Sequence, residues 1–164
     1  MKSLDSGEQR HVLAARGWIE LGLTADAFDE LDSIAPECRA HPDVLEVRWN
    51  ACFMAKNWAQ ATDVAFKLTR MAPDRFSGWW QLSFALHEMG LTQEAFDSLV
   101  SVRHRFSGEW MTHYHLARYL VQLGRVKEGR AALRRALEIE PKQRLAALEE
   151  PDLEPLRMEM QRKR

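Results

Sequence analysis

Apolar residues recur along this chain at steps of three and four. Leu82, Leu86 and Met89 form one stripe, Ala95, Leu99 and Val102 a second, and Leu116, Leu120 and Leu123 a third. That spacing places each set on one face of a helix. Alternating β-branched residues are scarce. Prolines fall at 36, 42, 73, 141, 151 and 155, outside the periodic segments. That placement matters because a proline costs about 3 kcal/mol in a helix interior. The pattern predicts an all-α chain with helices at 8–21 and 24–35, 42–55 and 58–71, 76–89 and 92–105, and 110–123 and 126–139.

The helices pair because a second, longer period runs through them. Gly22, Lys56, Gly90 and Gly124 follow one another at intervals of 34 residues. Five positions after each stands Ala27, Ala61, Ala95 or Gly129, and nine after each stands Leu31, Ala65, Leu99 or Leu133. A fixed period in this range marks a stacked-repeat architecture. Glycine suits the turn because it enters the left-handed region at no steric cost. Lys56 breaks the rule, so its turn is either strained or built differently. Thr24, Asn57 and Thr92 stand where N-caps belong. The small residue at the fifth position is expected where the second helix crosses the first, since a larger side chain would hold the axes apart. The repeated RFSG at 75–78 and 105–108 reads as a helix-start signal, and leaves open whether the fourth pair begins a turn early.

These positions resemble the tetratricopeptide repeat. The likeness is carried in the third pair by Trp79, Leu82, Leu86, Gly90, Ala95, Leu99 and Val102, and in the fourth by Leu116, Ala117, Leu120, Gly124, Leu133, Ala136 and Pro141. The second pair matches at Leu45, Trp49, Ala61, Leu68 and Pro73, and the first at Trp18, Gly22, Ala27, Leu31 and Ile34. The first pair closes early, at Pro36, so 36–42 is expected to be irregular. The resemblance implies a right-handed α-solenoid of four helix-turn-helix repeats, 8–41, 42–75, 76–109 and 110–141. An N-terminal tail (1–7) precedes them. Leu145, Leu148, Leu153 and Leu156 then mark 142–157 as a capping helix that covers the open end of the stack, with 158–164 as a frayed or disordered tail.

Composition changes this picture little. The 164 residues are 46% hydrophobic and 29% charged, ordinary for a folded domain. A net charge of −1 supplies no attraction for nucleic acid or an anionic membrane. No apolar run approaches a membrane span, and MKSLDSGEQR lacks the apolar stretch of a signal peptide. Cys38 and Cys52 have no CxxC spacing and read as reduced thiols. A cytoplasmic protein is expected.

Candidate chemistry is thin. No phosphate-binding glycine loop, zinc-protease or nucleophile-elbow motif is present. His113 and His115 point about 200° apart on one helix and cannot share an ion. His87 and His115 can approach each other from neighbouring first helices. Asp43 with Glu46, and Asp29, Glu30 and Asp32, read as solvated faces. No catalytic residue, metal site or cofactor is expected.

Function then rests on what the resemblance implies. First helices of such arrays line a concave face where partners bind. The corresponding residues are Arg16, Asn50, Phe53, Met54, Trp80, Gln81, Phe84, His87, Tyr114, His115 and Arg118. The middle of this set is aromatic and methionine-rich, suited to anchoring an apolar segment; the alternative is that it packs as core. The carboxylate-clamp positions of chaperone-binding relatives hold Val12, Arg16, Val47, Ser77 and Gln81, so an EEVD-type tail is not expected. The expectation is a non-enzymatic scaffold that binds a peptide or amphipathic helix of another protein. The alternatives are a small chaperone of an exported or assembling client, and a homo-oligomer.

Overall fold

The computed structural model describes residues 3–161, with side chains to residue 157. The four predicted pairs are present. α1 (Ser6–Glu20) pairs with α2 (Thr24–Asp32), α3 (Pro42–Met54) with α4 (Trp58–Met71), α5 (Phe76–Glu88) with α6 (Thr92–Val102), and α7 (Trp110–Gln122) with α8 (Val126–Ile139). No strand occurs among the described residues. The fold is all-α, of the helical-repeat solenoid class. The expected irregular stretch between the first two pairs is a 3-10 turn, Pro36–Cys38, that leads to His41 as N-cap of α3.

Beyond α8 the chain differs from a single helix over 142–157. A 3-10 turn (Pro141–Gln143) leads to α9 (Arg144–Glu149), and a second (Pro151–Leu153) to α10 (Glu154–Gln161). Pro151 cannot continue α9, because it has no N–H to donate, whereas Pro155 sits in the first turn of α10, where none is required. At the other end Asp5 caps α1. Its carboxylate accepts from the Gly7 and Glu8 amides at 2.8 and 2.9 Å, and Glu8 accepts in return from the Asp5 amide at 2.9 Å. This reciprocal box starts the helix inside the stretch expected as a tail. Of the two expected tails, residues 1–2 and 162–164 lie outside the described residues.

All four inter-helix turns share one geometry. Gly22, Gly90 and Gly124 have φ of 75°, 80° and 77°, and Lys56 has φ of 51°. In each turn the residue after this one donates its amide five residues back: Leu23 to Trp18, Asn57 to Cys52, Leu91 to Leu86 and Arg125 to Leu120, at 2.8–3.0 Å. The left-handed residue itself donates to the carbonyl three back, which completes the double bond pattern that closes a helix through its orphan carbonyls. Lys56 therefore carries strain in an unchanged turn. This geometry moves the N-caps. Leu23 and Leu91, not Thr24 and Thr92, occupy the cap position, because the residue that finishes the turn must also begin the next helix. Asn57 does cap, accepting from the Gln60 amide at 3.2 Å.

The small residues after each turn are fully buried at Ala27, Ala61 and Ala95. At Gly129 an added Cβ would stand 2.8 Å from Val121 Cγ2 and 3.1 Å from the Ala117 carbonyl oxygen, so α7 and α8 touch almost backbone to backbone. Gly78 plays the same part for α5 against α4, with Leu68 Cγ at 3.1 Å and the Thr69 amide nitrogen at 3.2 Å. The RFSG repeats diverge: Phe76, Ser77 and Gly78 open α5, but the second copy lies in a turn, and α7 begins at Trp110 as its apolar stripe predicts.

The chain divides into two units, Met1–Ala85 and Leu86–Arg164. The first has a core of Val12 and Ala15 from α1, Ala27 and Leu31 from α2, and Val44, Val47 and Ala51 from α3. The second packs Ala117 and Val121 from α7, Leu133 and Ala136 from α8, and Ala147, Leu153 and Leu156 from the C-terminal segment. Burying a leucine side chain fully stabilises by about 1.5–3 kcal/mol, so Leu153 and Leu156, at 0% and 1% exposure, hold that segment against the second unit.

Candidate functional site

In the first unit, α3 and α5 bring aromatic residues together at helical spacing. Trp49 and Phe53 lie one turn apart on α3, and Trp80 and Phe84 one turn apart on α5. The Trp49 and Trp80 rings meet edge-on with centroids 5.1 Å apart, and Phe53 and Phe84 lie 5.6 Å apart. Trp58, which opens α4, closes the cluster 5.6 Å from Phe53 and 5.8 Å from Phe84. Trp58 is not among the site residues expected from the sequence, though its position next to the α3–α4 turn is a signal for it.

The cluster grades from core to surface. Trp49 is 2% exposed, and its buried indole N–H has no acceptor among the described residues. Gln81 is also buried, and its side-chain oxygen likewise has no partner among them. Trp80 and Phe84 are half-buried; Phe53 and Met54 are 38% and 49% exposed, and Asn50 is open to solvent. Arg16 is also exposed. It lines a cleft of about 530 Å³ with Leu4, Val12, Leu13, His41 and Asp43.

The carboxylates of α3 expected to face solvent are partly exposed and are also paired. Arg75 Nη1 donates to Asp43 Oδ1 at 2.6 Å, and the Ser77 hydroxyl donates to Glu46 Oε1 at 2.6 Å. The partners lie about one repeat along the chain, beyond the reach of helix-local pattern reading.

In the second unit the residues singled out from sequence come together around the C-terminal segment. Tyr114, His115 and Arg118 on α7 are buried, and His87 is half-buried at the end of α5. Arg118 donates from Nε at 3.0 Å and from Nη2 at 2.6 Å to Asp152 Oδ2. His87 Nε2 stands 2.9 Å from the same oxygen. A carboxylate only accepts, so Nε2 carries a proton, and Nδ1 stands 3.0 Å from the Thr92 hydroxyl. Gln122 Nε2 donates to the Asp152 carbonyl at 3.2 Å. Glu150 Oε2 lies 3.5 Å from Arg118 Nε and accepts from the Tyr114 hydroxyl at 3.4 Å.

Titration follows from this geometry. The His87 hydrogen bond and the Arg118 guanidinium hold Asp152 down at about 2. Burial, followed by the Arg118 and His87 charges, pulls His115 down to about 3. His115 Nδ1 accordingly faces Arg118 Nη1 at 3.5 Å as an acceptor. Burial, with the Glu150 carboxylate next, raises Tyr114 to about 12. His87 and His115 flank the buried Tyr119 ring at 4.9 and 6.1 Å. Glu150 and Asp152, which complete the arrangement, were missed in the sequence; PDLEP read only as an apolar cap.

Burial pushes the Cys52 thiol up to about 11, away from the reactive thiolate. Among the described residues no group of three or more His, Cys, Asp or Glu side chains is placed to hold a metal ion. No helix among them is long and apolar enough to cross a membrane.

No protein-family model and no curated protein matches this sequence. Solved structures do. The chain is similar to MamA (41-end) from Desulfovibrio magneticus RS-1, at 15% identity and a TM-score of 0.79, over 98% of this chain and 94% of that one. It is similar to MamA MSR-1 at 17% identity and a TM-score of 0.70, over 85% and 82% of the two chains. A further MamA crystal structure aligns at 16% identity with a TM-score of 0.73, over 83% and 80%. At this identity the likeness is one of fold, and it extends over nearly the whole described chain.

Proposed function

We propose that this chain is a non-enzymatic protein-interaction module that receives an apolar or amphipathic segment of a partner protein on the α3/α5 face of its first unit. The observation behind this reading is the aromatic cluster that begins as core at Trp49 and ends as surface at Phe53 and Met54. Rings already held by neighbouring rings lose little entropy when a partner covers them. Met54 adds an adaptable apolar contact beside them. Asn50, exposed on the same helix, supplies a polar edge for the partner's backbone.

Peptides selected from a random displayed library on the immobilised chain test this reading. Enriched sequences should carry a large apolar anchor. Met54→Lys and Phe53→Ala should each weaken them about tenfold or more, with helicity unchanged. Phe66→Lys, on the exposed α4 side chain, should leave affinity unchanged. Failure to enrich any peptide, or loss confined to Phe66→Lys, overturns the proposal. Sedimentation that shows self-association abolished by Met54→Lys would assign the face to a second copy instead.

A further inference from the structure

We infer that the α7 face of the second unit is a second recognition site, for a partner segment with an aspartate followed by leucine, and that Glu150–Leu156 is a displaceable internal stand-in for that segment. A cap needs only to cover apolar surface, and Leu153 and Leu156 do that by entering the core beside Ala117 and Val121. The same segment also delivers one carboxylate to a site assembled from separate elements. Arg118 and Gln122 come from α7 and His87 from α5, and all three converge on Asp152. Arg118 has only 7% of its side chain exposed, so the receptor is a buried cation that demands an anion. A buried ion pair contributes little net stability against an apolar replacement but is strict about what may occupy it. That is the property of a recognition site.

The stand-in is built to leave. α9 and α10 have six and eight residues, too short to hold as helices by themselves. α9 has no side-chain cap, and Pro151 interrupts the path between the two. Release would expose the Arg118 site and the pocket for Leu153 together, so a competing segment must offer both groups.

This inference rests on the chain being a protein-binding module, but its test uses the chain's own sequence and leaves the α3/α5 face out. The probe is a fluorescein-labelled peptide of residues 147–157, titrated by anisotropy into the full chain. Asp152→Ala in the chain should open the site, and the wild-type peptide should then bind at least about tenfold tighter than to the wild-type chain. A peptide with Asp152→Asn should lose that gain. Hydrogen exchange on the wild-type chain gives the second measurement. The amides of Asp152, Leu153, Glu154 and Leu156 should exchange through an opening that leaves α7 and α8 protected, and excess peptide should accelerate it. If a folded Asp152→Ala chain binds the peptide no better than wild type, the inference fails. It also fails if the segment exchanges only together with α7 and α8, a result that holds even where Asp152→Ala does not fold.

Discussion

Arg118 and Asp152, on elements 34 residues apart in sequence, are joined by two hydrogen bonds of 3.0 and 2.6 Å to a single carboxylate oxygen. Removing one partner of a buried pair leaves an uncompensated charge, which costs about 3–5 kcal/mol. Arg118→Met and Asp152→Leu should each destabilise the chain on this scale in urea unfolding. The double variant should be less destabilised than the sum of the two, a coupling that a solvent-exposed pair would not show.

Lys56 in the left-handed turn is a second, opposite case. Its φ of 51° is unique among non-glycine residues of the described chain. An L-residue pays roughly 1–2 kcal/mol there, and glycine does not. Lys56→Gly should therefore raise stability by about 1 kcal/mol. Gly90→Ala, at φ of 80°, should lower it by a similar amount. Thermal midpoints of the pair, moving in opposite directions, check the account of the turns.

Gly129 and Gly17 separate close packing from backbone entropy. Both lie within helices, and an alanine in place of glycine there gains about 0.5–1 kcal/mol. Gly17 has nothing within 4 Å of an added Cβ, so Gly17→Ala should stabilise. At Gly129 the Cβ would meet Val121 at 2.8 Å and a backbone oxygen at 3.1 Å. Overpacking of about 1–3 kcal/mol outweighs the gain, so Gly129→Ala should destabilise.

Acid should weaken the second unit in two stages. His115 is held neutral down to about 3 by burial, Arg118 and His87. An unfolded histidine takes up its proton near 6.5. Between these values the unfolded chain binds a proton that the folded chain refuses, so stability falls as pH falls, by at most about 1.4 kcal/mol per pH unit. Asp152 acts lower. Its contribution is complete above the ordinary aspartate range and is lost as pH drops toward 2, where it protonates in the folded state. Unfolding followed against pH should show both stages, and His115→Phe should flatten the upper one alone.

Much of the fold was legible in the residues. The intervals at Gly22, Lys56, Gly90 and Gly124 located all four turns, because a helix must end where the chain turns left-handed and the next must begin at once. The same compactness hid the caps: Leu23 and Leu91 do double duty, which residue preference does not reveal. The aromatic face was legible at Phe53, Trp80 and Phe84 because each lies on a helix with a known phase. The arrangement around Arg118 was not. It depends on Glu150 and Asp152 folding back from beyond the last repeat, and nothing within a helix period reports a contact 65 residues away, as between His87 and Asp152.

The measurement closest to the central claim is site-specific photo-crosslinking with a selected peptide, with the crosslinker placed at Met54 or at Phe66. Both positions are about half exposed, so accessibility does not favour either. Partner binding on the α3/α5 face predicts a peptide crosslink from position 54 and none from position 66. A crosslink from position 66 alone would contradict it.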